Sequence, residues 1–474
     1  MAWVPALFAT LILTGCTTVG PDYVRPDTSL STTWHSELKG GLIGGEMDPQ
    51  TIAAWWFTLN DPELSNLIDR AALGNLDLKK ARARVREARA RRGIARASLF
   101  PALNVAGSAK RTYSSKDSEQ DKTSETSDLY TTSFDAGWEI DIFGGVRRSV
   151  EAAEADIGAS QEDLRDVLVS LLAEVAVNYL DLRTFQSRLA IAENNLEAQN
   201  ETYQLTLWRY QAGLSDELSV QQAQYNLENT RAQLPTMRIG KEEALNSIAV
   251  LLGEQPGKLH SLLQRVSMPV IPLKLAVGVP ADVLRNRPDV RRAERELAAQ
   301  SARIGVATAD LYPKLTLSGS IGIETLSVST LPTSQTSSLN FGPGITWAIF
   351  KAGAVRQNIE VQSALHEQAL IKYETAILSA LQNVENTLVA YAEEQNRRDD
   401  LQKAVQAAQK AAEFAKYKYQ GGLTDFNNVL EAQRSLLSFQ DQLAQSNGTV
   451  TSNLIRLYKA LGGGWASITP DEKK

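Results

Sequence analysis

The heptapeptide Tyr210-Gln211-Ala212-Gly213-Leu214-Ser215-Asp216 recurs 209 positions later as Tyr419-Gln420-Gly421-Gly422-Leu423-Thr424-Asp425. Upstream, Leu99-Phe100-Pro101 matches Leu311-Tyr312-Pro313, with small differences in length between the copies. Such spacing predicts that one structural unit is written twice. Two copies do not make a solenoid, which needs three or more. The duplication therefore favours a symmetric assembly in which each chain supplies two equivalent segments.

Each copy contains two segments in which apolar and polar residues alternate. In residues 130–142, Phe134 and Trp138 fall on one face and Asp135 and Glu139 on the other. Period two over this length is a strong strand signal. The same alternation in residues 103–110, 315–324 and 339–350 completes four strands, which form two hairpins at 101–143 and 313–350.

These strands suit a transmembrane barrel, where strands of about 10 residues are apolar outward and polar inward. A half-buried antiparallel sheet in a soluble domain has the same pattern. The long polar hairpin tips, residues 114–128 and 325–338, resemble extracellular loops and favour the membrane. Four strands cannot close a barrel that needs roughly eight or more, so copies must associate, and three chains would supply twelve strands.

Long helices are predicted after each hairpin. Residues 145–210 contain no proline and would span about 100 Å at 1.5 Å per residue. A turn and a return helix, 217–252, follow, and the second copy repeats this at 355–419 and 426–461. The apolar stripe of the first long helix is narrow. Its members lie seven apart, as in a coiled-coil seam: Leu182, Leu189, Leu196, Tyr203 and Tyr210.

A shorter helix is predicted to open each copy. In the first, Asp61-Pro62 supplies an N-cap carboxylate and a proline at the first helical position. The helices alone are also compatible with a coiled-coil stalk.

Composition narrows the function. The formal charge of −6 argues against a nucleic-acid binder, and 43% hydrophobic with 22% charged residues argues against a disordered chain. No stretch approaches the roughly 20 apolar residues of a spanning helix, so any crossing of a membrane must use strands. The three histidines, His35, His260 and His366, are far apart, and no catalytic or metal-binding motif is present. The sequence therefore predicts neither an enzyme nor a metal site.

Cys16 is the only cysteine. It follows a short apolar block, and Leu13-Thr14-Gly15-Cys16 resembles the lipobox of bacterial lipoproteins. That resemblance implies cleavage before Cys16, a diacylglycerol thioether on its thiol and an N-palmitate on its new amino group. Thr17, rather than Asp, suggests sorting to the outer membrane. Residues 1–5 lack the Lys or Arg usual in a signal, and a chance apolar N-terminus remains the alternative.

Several motifs together identify a family. They are Gly20-Pro21-Asp22-Tyr23-Val24-Arg25-Pro26, Asp61-Pro62-Glu63-Leu64, Trp138-Glu139-Ile140-Asp141-Ile142-Phe143-Gly144, Arg287-Pro288-Asp289-Val290 and Leu457-Tyr458-Lys459-Ala460-Leu461-Gly462. In this order and spacing, the chain resembles the outer-membrane factors of tripartite efflux systems, the TolC family, and most closely the lipoprotein branch typified by OprM.

The resemblance implies a homotrimer in the outer membrane, with a twelve-stranded β-barrel continuous with a twelve-helix α-barrel in the periplasm. It implies a passive conduit for drugs or other toxic small molecules, without a cofactor beyond the lipid. The implied partners are a periplasmic adaptor protein and an inner-membrane transporter of the RND type, with no nucleic acid. A type I protein-secretion channel and a periplasmic coiled-coil scaffold lipoprotein remain alternatives.

The resemblance also locates candidate functional residues. Adaptor contacts are expected at the two helix turns, Gly213-Leu214-Ser215-Asp216 and Gly422-Leu423-Thr424-Asp425, where Gly permits the turn, Leu offers an apolar knob and Asp can cap the returning helix. These residues could equally serve only to build the turn. Family members often carry an acidic constriction before the second turn. Here Phe414 and Lys416 occupy that stretch and predict an aromatic or mixed-charge constriction instead.

The expected organisation of the chain follows from these assignments. It comprises a signal peptide (1–15), an acylated N-terminal segment (16–60), the first repeat (61–253), a linker or equatorial segment (254–279), the second repeat (280–462) and a C-terminal tail (463–474). The copies differ beside the turns, where Leu207-Trp208-Arg209 corresponds to Lys416-Tyr417-Lys418. This difference predicts that one helix pair moves during gating while the other holds.

Overall fold

The computed structural model describes residues 18–27, 33–45, 48–114, 125–260, 263, 268–269, 275–327 and 337–465. The predicted signal peptide, Cys16 and the residues beyond Trp465 lie outside these ranges, as do residues 115–124 and 328–336 of the hairpin tips.

Helices account for most of the described chain. They are α1 (Pro49–Ala53), α2 (Pro62–Gly74), α3 (Leu76–Ala97), α4 (Gly145–Gln211), α5 (Glu217–Leu251), α6 (Pro280–Asn286), α7 (Pro288–Ala309), α8 (Ala354–Gln420) and α9 (Phe426–Ala460), with a 3-10 turn at Trp55–Leu59. The strands are β1 (Leu42–Gly44), β2 (Ala102–Ser114), β3 (Glu125–Ile140), β4 (Leu275–Val277), β5 (Lys314–Thr325) and β6 (Ser337–Thr346).

The chain forms two compact units. The strand unit comprises residues 1–27, 84–161 and 292–374, and the helical unit comprises residues 28–83, 162–291 and 375–474. Each unit draws on both sequence repeats, because α4 and α8 each contribute residues to both. The compact units therefore cut across the repeats instead of coinciding with them.

The strand unit holds one antiparallel sheet in the order β2-β3-β5-β6, as the alternation predicted. One row across the sheet is apolar and mostly exposed: Val105, Phe134, Ile321 and Leu339. The next row, on the opposite face, is polar: Asn104, Asp135, Ser320 and Asn340. Within the described residues, the outer edges of β2 and β6 have no strand partner.

The strands end earlier than their alternation predicts, at Ile140 and Thr346 instead of at residues 142 and 350. Both hairpins end in the same way, at a short segment that follows β3 or β6 and leads into the next long helix, which we call the joint. The indole N–H of Trp138 donates to the Leu99 carbonyl, and that of Trp347 donates to the Leu311 carbonyl, both at 3.0 Å. The chain then turns, with the Ile142 N–H bonding the Ile140 carbonyl.

The long helices begin and end within one residue of their predicted bounds. No helix among the described residues is long and apolar enough to cross a membrane. The predicted heptad seam of α4 is buried only in part. Leu182 is fully buried, Leu189 and Leu196 pack against a small cluster around Ala192, and Tyr210 is exposed. Tyr419, at the equivalent position in α8, is buried, so the two copies differ here.

The helical unit is anchored by the predicted cap at Asp61. Its Oδ1 accepts from the backbone N–H of Glu63 and Leu64, at 2.9 and 3.0 Å, and Pro62 occupies the first turn. Its Oδ2 accepts from the Tyr179 hydroxyl at 2.7 Å. The buried Arg183 donates to that hydroxyl at 2.9 Å and to the Glu63 carboxylate. The start of α2 is thus joined to the middle of α4.

Both return helices end against a break between two shorter helices. Asn75, between α2 and α3, donates its side-chain amide to the Leu251 carbonyl at 2.8 Å. Arg287, between α6 and α7, donates to the Ala460 carbonyl at 2.7 Å. The last turn of a helix leaves carbonyls without intrahelical partners. In each repeat, a side chain from the adjoining break supplies a donor for one of them.

Replacing Arg183 with Met should destabilise the helical unit by about 3 kcal/mol, because the Glu63 carboxylate loses its cation and the buried Tyr179 hydroxyl loses a donor. The thermal unfolding midpoint of the purified protein measures this. Arg91→Met is the matched control, since Arg91 is exposed and pairs with Glu87 on its own helix. A midpoint equal to that of the control would contradict the role assigned to Arg183.

We predict that the contacts of His260, in the segment after α5, depend on pH, and we call the bonds of its ring to Gly257 and Glu242 the clasp. The two ring nitrogens of His260 face two acceptors, the Gly257 carbonyl at 3.0 Å and the Glu242 carboxylate. Only the imidazolium can donate to both, and the hydrogen bond to Glu242 followed by that to Gly257 raises the pKa of His260 above its usual 6.5.

A group with a raised pKa stabilises the fold below its unfolded pKa, and that contribution is lost as pH rises through the folded value. Hydrogen exchange of residues 254–260, corrected for intrinsic rates, should therefore be slower at pH 5.5 than at pH 8. Glu242→Gln should remove most of the difference. Equal protection at both pH values in the unaltered protein would refute the clasp.

Candidate functional site

The two helix turns have the same backbone structure. Gly213 and Gly422 adopt left-handed φ angles of 71° and 73°, which glycine adopts without steric cost. In the first turn, the Leu214 N–H bonds the Arg209 carbonyl at 2.8 Å. In the second, the Leu423 N–H bonds the Lys418 carbonyl, also at 2.8 Å. These bonds are those of a Schellman motif, which satisfies the free carbonyls of a helix end.

The predicted apolar knobs are present at both turns. Leu214 and Leu423 are among the most exposed apolar side chains of the helical unit, at 68% and 79%. Each follows its glycine and lies outside the small core at the helix ends. Such exposure at two equivalent positions is suited to a contact with another protein.

The caps predicted at the two turns differ. Asp216 caps α5, because its Oδ1 accepts from the Ser219 N–H at 2.9 Å and from the Ser219 hydroxyl. These two bonds, the hydroxyl bond first, lower the pKa of Asp216 below its usual range. Asp425 makes no side-chain cap bond to α9. The cap prediction is therefore confirmed at the first turn and wrong at the second, where Thr424 instead accepts from the Asn428 side-chain amide.

The turns are linked by Arg209. Its guanidinium lies over the Tyr419 ring at 4.7 Å and donates to the Tyr419 carbonyl at 3.2 Å. Tyr419 is buried against Phe426, with ring centroids 5.3 Å apart. Lys418, which corresponds to Arg209 in the second repeat, is exposed. A side chain of the first repeat thus holds the end of the second long helix, and the reverse contact is absent at Lys418.

The stretch expected to form a constriction is aromatic and exposed. Phe414 is 65% exposed, and its neighbour Tyr417 is similarly open. Lys416 bonds Glu201 of α4 at 3.2 Å, so its charge is matched across the two long helices. The assignment of Phe414 and Lys416 to a constriction stays a prediction. Glu201 was not anticipated, because an ion pair between residues 215 positions apart leaves no local signal in the sequence.

The contacts between α4 and the second repeat continue above the turns. Arg188 forms a bidentate pair with Asp441 at 2.6 and 3.1 Å, and Gln433 donates to the Thr202 hydroxyl at 2.8 Å. Within the described residues, no group of three or more His, Cys, Asp or Glu could hold a metal ion. The site is therefore one of helix ends, exposed apolar knobs and ion pairs, which suits docking and movement.

Comparison with known proteins decides the class of the chain. The model of the family described as outer membrane efflux protein matches residues 67–254 and again residues 279–463. The chain belongs to the outer membrane efflux protein family. The twofold match reproduces the internal duplication seen in the turn heptapeptides.

Relatives and a solved structure agree with this assignment. The chain is 32% identical over 467 residues to nodulation protein T of Rhizobium leguminosarum bv. trifolii, covering 97% of both. It is 33% identical over 473 residues to the solvent efflux pump outer membrane protein SrpC of Pseudomonas putida, covering 97% and 98%. The outer-membrane channel OprN matches with 36% identity and a TM-score of 0.87, covering 94% of this chain and 99% of that one.

These likenesses confirm the fold class and function predicted from the sequence. The chain is an outer-membrane efflux channel protein of the TolC family, with the strand and helix architecture of the solved channels. The family is one of channels that extend into the periplasm, and its activity is transport.

Loss of the Arg209 contact should loosen the second turn. Arg209→Leu removes the bonds to the Tyr419 and Gln420 carbonyls, and we expect a severalfold increase in hydrogen exchange at residues 417–424. Single-channel conductance in planar bilayers should show more frequent open events. Lys418→Leu, at the equivalent position, is the control and should leave both measurements close to the unaltered channel. Equal effects of the two substitutions would contradict unequal turns.

Proposed function

We propose that this chain forms one third of a homotrimeric conduit that carries drugs or other toxic small organic molecules out of the cell. The observation that carries the proposal is the open four-stranded sheet with one apolar face. Backbone groups at an unpaired strand edge cannot be left in lipid. Three copies, joined between the edge of β2 in one chain and the edge of β6 in the next, make twelve strands and leave no edge.

The return helix α5 offers a second surface for a neighbouring copy. Leu218, Tyr225 and Ile239 are each more than half exposed. They lie seven and fourteen residues apart, so they share one face of the helix. Val250, eleven residues further on, continues the stripe. An apolar stripe at heptad spacing on an exposed helix supports side-by-side packing against another chain.

The helix turns support an adaptor as partner. Both present an exposed leucine on a Schellman turn, and the two copies per chain give six such leucines in a trimer. A ring of repeated knobs suits a periplasmic adaptor that carries several copies of one binding motif. The energy for transport then comes from an inner-membrane transporter of the RND type, since the channel family is passive.

A lipid anchor at Cys16 is part of the proposal. Thr18, two residues later, lies at the joint after β3, where its side chain contacts Gly144. Two residues span at most about 7 Å. Acyl chains on Cys16 would therefore enter the bilayer close to the helix end of the strands. Mass spectrometry of the N-terminal peptide should show a diacylglycerol thioether and an N-acyl group, and a free thiol at Cys16 would refute this part.

The trimer is tested directly with the full-length protein in detergent. We expect a mass of three chains by light scattering and a single pore conductance per trimer in a planar bilayer. A Cys16→Ala variant should still require detergent, because its strands still span the membrane. Recovery of that variant as a soluble monomer without detergent would refute the channel and favour a scaffold lipoprotein.

The substrate class is tested in cells that lack the gene. Accumulation of a fluorescent drug should rise severalfold, while secretion of a reporter protein through a type I system should be unchanged. Unchanged drug accumulation together with lost secretion would reassign the channel to protein export. Returning the gene with the Arg91→Met substitution to these cells should restore drug export fully, which shows that the variant protein is expressed.

A further inference from the structure

A buried guanidinium lies at the start of α4 beneath residues 18–25, which we call the strap. Arg148 is 3% exposed. It donates to the Val19 carbonyl at 3.1 Å, the Gly20 carbonyl at 3.3 Å and the Asp22 carboxylate at 2.6 Å. Its remaining bond, at 2.8 Å, goes to Glu151 on its own helix. Three of its four acceptors therefore belong to the strap.

The strap is also fitted closely against α7. Gly20 has a φ of 89°, and a Cβ added there would lie 2.4 Å from the Gly305 Cα. A Cβ added at Gly305 would lie 2.8 Å from the Cγ of Arg148. Strap, α7 and the Arg148 side chain are thus in mutual contact with no room for a methyl group at either glycine.

The strap crosses from the first repeat to the second. At its start, the Val19 N–H bonds the Phe143 carbonyl of the first repeat at 3.0 Å. Further along, Arg25 pairs with Glu294 of the second repeat at 3.2 Å. Within the strand unit, the strap is a segment outside both repeats that touches the two of them.

We propose that Arg148 is the residue that holds the strap, and that the docked strap joins the two repeats and fixes where the Cys16 anchor meets the strand hairpin. The second half of this inference rests on the proposed lipidation of Cys16. Undocking of the strap breaks three of the four hydrogen bonds of Arg148, including the charge-assisted bond to Asp22, so Arg148 holds the strap in its docked position. Thr18 is held at the joint after β3, which confines Cys16 to within about 7 Å of that point.

The test uses full-length protein in its native membranes, opened so that the periplasmic face is accessible. Chymotrypsin can cut after Tyr23 once the strap leaves its groove, and the released N-terminal peptide is quantified by mass spectrometry. Arg148→Met and Gly20→Val should each speed this cleavage tenfold or more. Arg148→Lys keeps the charge but loses the planar fork, and should give an intermediate rate. Arg91→Met, exposed on α3, should stay within twofold of the unaltered protein.

Arg148→Met alters α4 and Gly20→Val alters the strap. If one of these variants fails to fold, the cleavage rate of the other still tests the contact between them. Gly20→Val keeps every side chain of the helices intact. If it cleaves no faster than the Arg91→Met control, strap docking as described is wrong. If Cys16→Ala alone speeds cleavage tenfold, the lipid holds the strap and the role of Arg148 is overturned. Unacylated Cys16 in the unaltered protein would remove the anchor half of the proposal, while the cleavage rates still decide the docking half.

Discussion

One requirement shapes this protein, which is that the backbone groups at the edge of a strand must find hydrogen-bond partners in lipid. A backbone N–H or C=O that faces hydrocarbon without a partner costs several kcal/mol. The sheet β2-β3-β5-β6 pairs every internal edge and leaves two, and its exposed face is apolar across all four strands. Gene duplication supplies two hairpins, but it cannot supply closure. Association of several chains is therefore built into the sequence at the level of strand number.

The two repeats are alike at the joints after the strands and in the backbone of the helix turns. They differ in the side-chain contacts beside the turns, where movement is expected. The Trp138 and Trp347 joints are identical in partner and distance, as are the Schellman bonds of the two turns. By contrast, Arg209 grips the end of α8, whereas Lys418 is exposed. The cap on α5 has no counterpart on α9. The two turns can therefore bind the same motif of a partner through their common backbone structure, while their different side-chain contacts let them move by different amounts.

Local patterns predicted the elements and failed at long-range contacts. The long helices were bounded correctly because proline and glycine are scarce within them and Gly213 and Gly422 end them. Asp61 was recognised as a cap because its partners follow within three residues. The strand ends were predicted too late, since the turn after Ile140, in which the Ile142 N–H bonds the Ile140 carbonyl, does not interrupt the alternation of apolar and polar residues in the sequence. The cap at Asp425 was wrong because Ser219, which bonds Asp216 in the first copy, is replaced by Asn428 in the second, whose side chain bonds Thr424.

Buried arginines fix the alignment of the long helices, which the narrow apolar stripes alone would leave free to slide. Arg148, Arg183 and Arg287 are each less than one-tenth exposed, and each binds carbonyl or carboxylate oxygens from segments far away in sequence. A hydrophobic stripe tolerates sliding by a heptad, because the next turn offers a similar surface. A planar guanidinium with several fixed donors does not, because a shift leaves a buried charge without its acceptors. Replacing one such arginine alone leaves its acceptors unpaired and is destabilising, whereas replacing an arginine together with its partners by apolar residues need not be. What the arginines supply is a single permitted alignment of the strap, the helix breaks and the long helices, and a pore whose wall must close on itself needs that alignment in every copy.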